Sequence, residues 1–284
     1  MDKRSASSKG CLYIVATPIG NLEDISLRAI NTLKQVDTVL AEDTRHSGKL
    51  LHALGIEKPL LSHHAHNEGS HSDSIIAALL NGKSFALVSD AGTPLISDPG
   101  FELVRQARSQ AIEVIPIPGP CAAITALSAA GVPCDTFTFM GFLPAKQQAR
   151  REQLNAIGRS QHTTVIYEST HRILDCIDDI LELFSPDYRF VLAKELTKAF
   201  EQFIHGNALT IKQWLMDDKA RCKGEFVLIF PVQPRQNDAG KEEELLEILL
   251  SELPLKQAVK LASILSHAPK NELYKLALKL QGQS

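Results

Sequence analysis

The sequence predicts an α/β protein in which two αβα domains follow one another and a small helical module closes the chain. Three observations carry this. Short apolar runs alternate with helical patterns from Leu12 to Phe230. A proline cluster, Pro116-Ile117-Pro118-Gly119-Pro120, interrupts the alternation near its middle, and a polar stretch, Gln233–Lys241, separates it from a helical C-terminus. A βαβα succession implies a mainly parallel sheet covered by helices, and 284 residues at roughly 150 per domain suit two domains.

In order, LYIVA at 12–16, 38–41, FALVS at 85–89 and 113–117 read as strands buried on both faces. Helices are expected at about 26–35, 44–54, 73–81 and 100–110; Ser26 caps the first, and Leu27, Ile30 and Leu33 form its apolar stripe. The second half predicts a helix at 121–130, a strand at 136–140, a helix at 147–157, a strand at 164–167 and a helix at 171–184. Strands at 190–193 and 226–230 flank a hairpin partner at 201–205 and a helix at 208–216, so this sheet is expected to be mixed. Helices at 242–252, 256–265 and 270–280 follow the linker. The expected domains are a tail at 1–10, αβα domains at 11–117 and 118–232, a linker at 233–241 and a helical module at 242–284.

Hydrophobic residues at 44% supply two cores, which excludes a disordered chain or a disulfide-stapled miniprotein. Lys+Arg 30 against Asp+Glu 33 disfavours a wholesale polyanion binder and leaves room for a local basic patch. No apolar run approaches the ~20 residues of a spanning helix. Five scattered cysteines without C-x-x-C spacing point to a reducing, cytoplasmic setting.

No G-x-G-x-x-G follows the first strand, and Gly82-Lys83-Ser84 precedes a strand where a phosphate-binding loop would follow one. The most unusual segment, Ser89 to Gly100 (SDAGTPLISDPG), leaves the end of a buried strand, where open α/β sheets bind ligands. Its backbone can approach a ligand while Asp90 and Asp98 accept hydrogen bonds; equally, it is a structural turn in which Thr93 and Asp98 act as caps. Ile117 to Ala123 opens onto a helix with small side chains, which admits a ligand or a packed neighbouring loop. His63, His64, His66 and His71 suggest a polar loop more than a metal site, for no acidic or cysteine ligand set has matching spacing.

Taken together, TPIGNLEDISLRA, AEDTRHS, SDAGTPLISDPG, PIPGPCAAITALSAAG, GFLPAK, YESTHR, KELTK and KGEFVLI resemble the tetrapyrrole methylase superfamily of S-adenosylmethionine enzymes. Within it they resemble the branch that methylates cytidine 2′-hydroxyls of small-subunit (16S) ribosomal RNA. The resemblance runs in order over roughly residues 11–231. It implies a cofactor cleft between two αβα domains of the tetrapyrrole methylase type. Pro18 would lie near S-adenosylmethionine, with Asp90, Gly92, Thr93, Pro94, Leu95 and Ile96 receiving its methionine and ribose part. Ala122 and Ala123 would flank it, and Tyr167, Gly224 and Glu225 would border adenine. It also implies a homodimer. The first loop departs from the superfamily's usual G-x-G-P-G-D: here it reads Ala16-Thr17-Pro18-Ile19-Gly20-Asn21.

A ribose hydroxyl is a poor nucleophile while protonated, so a base or a charge stabilising the alkoxide should assist. Asp43, Glu68 and Lys194 are the expected catalytic groups; Arg45, His66 and Arg172 are expected to hold RNA phosphates. Helix capping and ion pairing are the competing reading of each. The tail resembles a helix–turn–helix, with Ala258, Leu261, Ala262 and Leu265 on one helix face and Ala268-Pro269 at the turn. Residues 254–284 carry five lysines against one glutamate, and Lys256, Lys260, Lys270, Lys275 and Lys279 are expected to contact phosphates. A small-tetrapyrrole methylase and a non-catalytic RNA-binding or assembly protein remain alternatives.

Overall fold

The computed structural model describes residues 9–64, 68–232, 239–266 and 268–282, with backbone alone for 68–71 and 239–241. The expected tail at 1–10 and linker at 233–241 therefore fall largely outside the described residues. The first half runs β1 (Cys11–Val15), α1 (Leu27–Gln35), β2 (Thr38–Ala41), α2 (Thr44–Ala53), β3 (Leu60–Ser62), α3 (Glu68–Leu80), β4 (Phe85–Val88), α4 (Phe101–Ser109) and β5 (Glu113–Ile117). Its five strands form a parallel sheet in the order β3-β2-β4-β1-β5.

Alternation along these strands fills two opposite cores. Val15, Val39, Ala41, Ala86 and Val88 pack beneath Leu33 of α1 and Leu51 of α2. Leu12, Leu40, Phe85 and Leu87 face Ile75 and Leu79 of α3 and Leu103 of α4. Pro116 is tolerated because β5 is an edge strand, bonded to β1 alone.

Three expectations need correction here. Strand β3 went unread because three residues, LLS, show no usable period. Ser26 does cap α1, its side chain accepting from the Ala29 N–H at 3.0 Å, but Leu27 is 80% exposed while Ala29 and Leu33 are buried. At 100° per residue Leu27 lies about 120° around the helix from Leu33, off the inward stripe. Neither Thr93 nor Asp98 caps α4: its N-cap is Gly100, without a side-chain bond.

The second half runs α5 (Ala122–Ala129), β6 (Phe137–Phe142), α6 (Gln147–Gly158), β7 (Thr163–Ser169), α7 (Ile173–Leu183), β8 (Phe190–Lys194), β9 (Gln202–Gly206), α8 (Ala208–Asp217) and β10 (Glu225–Phe230). The sheet order is β6-β7-β10-β8-β9; β6 and β7 are parallel and the remaining pairs antiparallel, so the sheet is mixed as expected. One face packs Ile166, Leu192, Phe226 and Leu228 against α6, α7 and α8. The other packs Val165, Ala193 and Val227 against Ala123, Ala126 and Leu127 of α5, and Ile19 from the loop after β1 enters this same cluster.

The chain separates into two compact units between Val232 and Gln233. In the second unit, α9 (Ala239–Glu252), α10 (Leu255–Ser266) and α11 (Lys270–Gly282) surround Leu246, Val259, Ala262 and Leu273. The inward stripe of α10 is Ala258, Val259 and Ala262; Leu261 and Leu265 are exposed. Alanines let α10 sit close to its neighbours, so the bulkier leucines flank the contact instead of filling it. Among the described residues no helix is long and apolar enough to cross a membrane.

Candidate functional site

The carboxyl ends of β1, β2 and β4 share one edge of the first sheet, and their loops are tied together there. Thr17 and Gly92 exchange both backbone bonds, Thr17 N–H to Gly92 O at 2.8 Å and Gly92 N–H to Thr17 O at 3.1 Å. The Thr17 hydroxyl donates to Ser89 O at 3.2 Å, and the Thr93 hydroxyl donates to Pro120 O at 2.9 Å. Gly92 adopts φ +86°, which favours glycine. A Cβ there would meet only ordinary contacts, 3.4 Å to Ile19 Cγ2, so the conformation, more than close approach, demands the glycine. Leu95 at φ +73° and Ser97 at φ +71° follow. Such left-handed non-glycine residues cluster where a loop is held in a functional shape.

The second sheet presents its own edge to these loops. The Asn21 N–H donates to the Thr197 hydroxyl at 3.1 Å, and a Cβ on Gly20 would fall 3.0 Å from Leu196 O. On the other side, a Cβ on Gly141, which has φ +63°, would fall 2.7 Å from Ser97 Oγ. The end of β6 and the loop after β8 therefore meet the loops after β4 and β1. Tyr167 sits under the start of α5: its hydroxyl accepts from the Ala123 N–H at 3.1 Å, and burial pushes its pKa up.

Charge at this edge is predominantly negative. Glu42, Asp90 and Asp98 lie close enough to influence one another. Burial, then the charges of Glu42 and Asp90, push Asp98 up to about 6 against a lowering hydrogen bond from Ser89. Burial and Asp90 likewise raise Glu42, while His64 opposes them. Arg45, in the first turn of α2, is spent on Asp43 at 2.9 Å. Such a cluster of carboxylates attracts cations and repels a polyphosphate. At the start of α5, Ala122 is partly buried and Ala123 is packed against the second sheet.

The expected catalytic residues fare differently. Asp43 caps α2, accepting from the Arg45 N–H at 2.8 Å, and its pairing with the Arg45 side chain holds it down at about 2, too weak a base for a ribose hydroxyl. Lys194 is buried on the face of Phe226, the opposite side of the sheet from Tyr167, and its influence reaches Glu195 and Cys222. For Glu68 only backbone is described, and His66 lies outside the described residues.

Arg172 turns inward. Its Nη2 donates to the carbonyls of Leu143 and Pro144, and its Nε lies 3.3 Å from Glu168 Oε1, a loop clamp in place of the expected phosphate contact. Gly224 exchanges hydrogen bonds with the Thr170 hydroxyl at 2.9 and 2.7 Å, and Glu225 pairs with Lys198 at 2.9 Å; both groups knit loops together. Pro18 is half-buried beside Thr17. Lys256, Lys260, Lys270, Lys275 and Lys279 are all exposed on α10 and α11. Sequence reasoning missed Thr17, Ser97 and Gly141, whose partners lie far away in the chain.

Residues 11–212 match the family of tetrapyrrole (corrin/porphyrin) methylases, and residues 236–281 match the RsmI C-terminal HTH domain, which bears out the helix–turn–helix expectation. The chain is 50% identical over 279 residues to the ribosomal RNA small subunit methyltransferase I of Escherichia coli O157:H7, covering 97% of each. It is 48% identical over 273 residues to the protein of the same name from Haemophilus influenzae, covering 95% of this chain and 96% of that one. Among solved structures it resembles uroporphyrin-III-C-methyltransferase from Thermus thermophilus in fold, with TM-score 0.53 and 21% identity over 78% of this chain and 94% of that one.

Proposed function

The chain belongs to the RsmI branch of the tetrapyrrole (corrin/porphyrin) methylase family, and we propose that it is an S-adenosylmethionine-dependent methyltransferase acting on the ribose 2′-oxygen of a cytidine in the decoding region of 16S ribosomal RNA. The observation that carries this reading is the carboxylate-bearing, left-handed loop from Asp90 to Gly100 at the carboxyl edge of a parallel sheet. S-adenosylmethionine bound there supplies an electrophilic methyl on a sulfonium.

The chain's own residues supply the seat and the base. Gly92 to Ile96 receive the methionine and ribose part, Pro18, Ala122 and Ala123 flank it, and Tyr167 supports α5 from beneath. Asp98, which burial pushes up to about 6 in the chain alone, is read as the carboxylate that accepts the ribose proton. Alignment of the two reactants supplies much of the rest.

The two sheets, with their helices, are read as lobes spanning 11–117 and 118–232. The exposed lysines of the 242–284 module grip RNA phosphates. A homodimer in the cytosol completes this reading. Tritiated methyl transfer into small subunits from a deletion strain, with ribose mapping, tests the reading. Label confined to a 16S cytidine ribose supports it; label in a small tetrapyrrole, or no label at all, overturns it.

A further inference from the structure

Phe142 is a large aromatic side chain left 52% exposed between two buried neighbours, Gly141 and Leu143. It does not dangle from a loose loop. The pairing of β6 with β7 is irregular between Phe139 and Phe142, and the chain there is pinned from both sides. Gly141 leaves no room for a Cβ against Ser97 of the cofactor loop. One and two residues after Phe142, the Leu143 and Pro144 carbonyls are held by Arg172, which is itself anchored by buried Glu168. The Phe142 ring touches Tyr167 in a T-shaped contact, centroids 5.6 Å apart, which fixes its tilt. Four residues on, Lys146 is exposed at the N-cap of α6.

An exposed aromatic ring on a rigid support, with a cation a few residues away, suits a nucleotide of single-stranded RNA: the ring stacks the base and the ammonium meets a phosphate. A nucleotide drawn out of its stack into a protein site loses base stacking, and a protein ring that takes over the stacking offsets that cost. We propose that Phe142 is the stacking surface for the target base, and that Lys146 contacts an adjoining phosphate. This rests on the RNA-methyltransferase reading above.

The test uses the full-length protein, small subunits lacking the modification, and S-adenosylmethionine. Phe142→Ala should lower kcat/KM for the subunit by ~10- to 100-fold, with cofactor affinity by calorimetry within about twofold of wild type. Phe142→Tyr should restore the rate, whereas Phe142→Leu, which keeps bulk without a π face, should not. Lys146→Ala should raise KM and reduce its salt dependence. Equal activity in the Leu and wild-type proteins, or a parallel loss of cofactor affinity in the Ala variant, overturns the proposal. Failure of the wild-type protein to label RNA while it still binds the cofactor would instead sink the substrate reading on which it rests.

Discussion

Thr17 and Gly92 pair backbone to backbone, so the loop after the first strand and the loop after the fourth form a two-residue antiparallel ribbon at the mouth of the parallel sheet. The pairing needs the left-handed φ of Gly92. An L-residue there costs ~1–2 kcal/mol, and a β-branched one more. Gly92→Ala should lower the urea midpoint by a matching amount, and Gly92→Val should lower it further. Both should weaken S-adenosylmethionine binding in calorimetric titration. Wild-type affinity in Gly92→Val would remove this ribbon from the cofactor seat.

Asp98 predicts a pH dependence. Its carboxyl titrates at about 6 in the fold against an ordinary 3.8, so its contribution to stability is intact below the ordinary value and is lost as pH rises through about 6. Asp98→Asn should match wild type near pH 4 and exceed it at pH 8, by roughly 1 kcal/mol once partial exposure is discounted. A cationic cofactor favours the ionised carboxylate, so wild-type affinity should weaken below about pH 6 and that of the variant should not. Turnover in Asp98→Asn should fall by about 10²–10⁴-fold, while Asp43→Asn, which alters a paired cap, should keep its kcat.

Glu168 and Arg172 should behave as a unit. The Glu168 side chain has no exposed surface, so Arg172→Met leaves a buried carboxylate short of its nearest countercharge and should cost ~3 kcal/mol. Adding Glu168→Gln should recover part of the loss in urea unfolding. Additive losses in the double variant would show that the two do not interact.

Deleting residues 233–284 should weaken binding to the small subunit and flatten the fall of log K with log salt, because every phosphate that is no longer neutralised takes roughly 0.7–0.9 off the slope. Cofactor affinity should persist, since every loop of the proposed seat precedes Val232. An unchanged slope would move RNA recognition to the first unit.

Periodicity and turn chemistry made the helices and every strand but β3 legible in both sheets, down to the Ser26 cap and the mixed character of the second sheet. Local reasoning failed where the deciding partner is distant in the chain. Leu33 takes the inward face as expected, but nothing near Leu27 says that Ala29 will replace it there, and nothing near Arg172 says that its guanidinium will hold Leu143. Asp43 looked like a base because strand ends gather functional carboxyls; the Arg45 two residues later was the available signal that it would be paired and capping. Lys194 stood beside promising residues in sequence, yet the two-residue alternation of its strand sends it to the far face from Tyr167.

Ile19 belongs by sequence to the first sheet and by packing to the second, where it joins Ala123, Leu196 and Val227. During synthesis its loop emerges long before those partners exist. Nascent N-terminal segments tend to fold as units when they can, but this one must wait with an apolar side chain uncovered until the strands that bury it have left the exit tunnel. The carboxyl edge of the first sheet is thus completed by the end of the second, which couples the maturation of the proposed seat to the arrival of nearly the whole first unit.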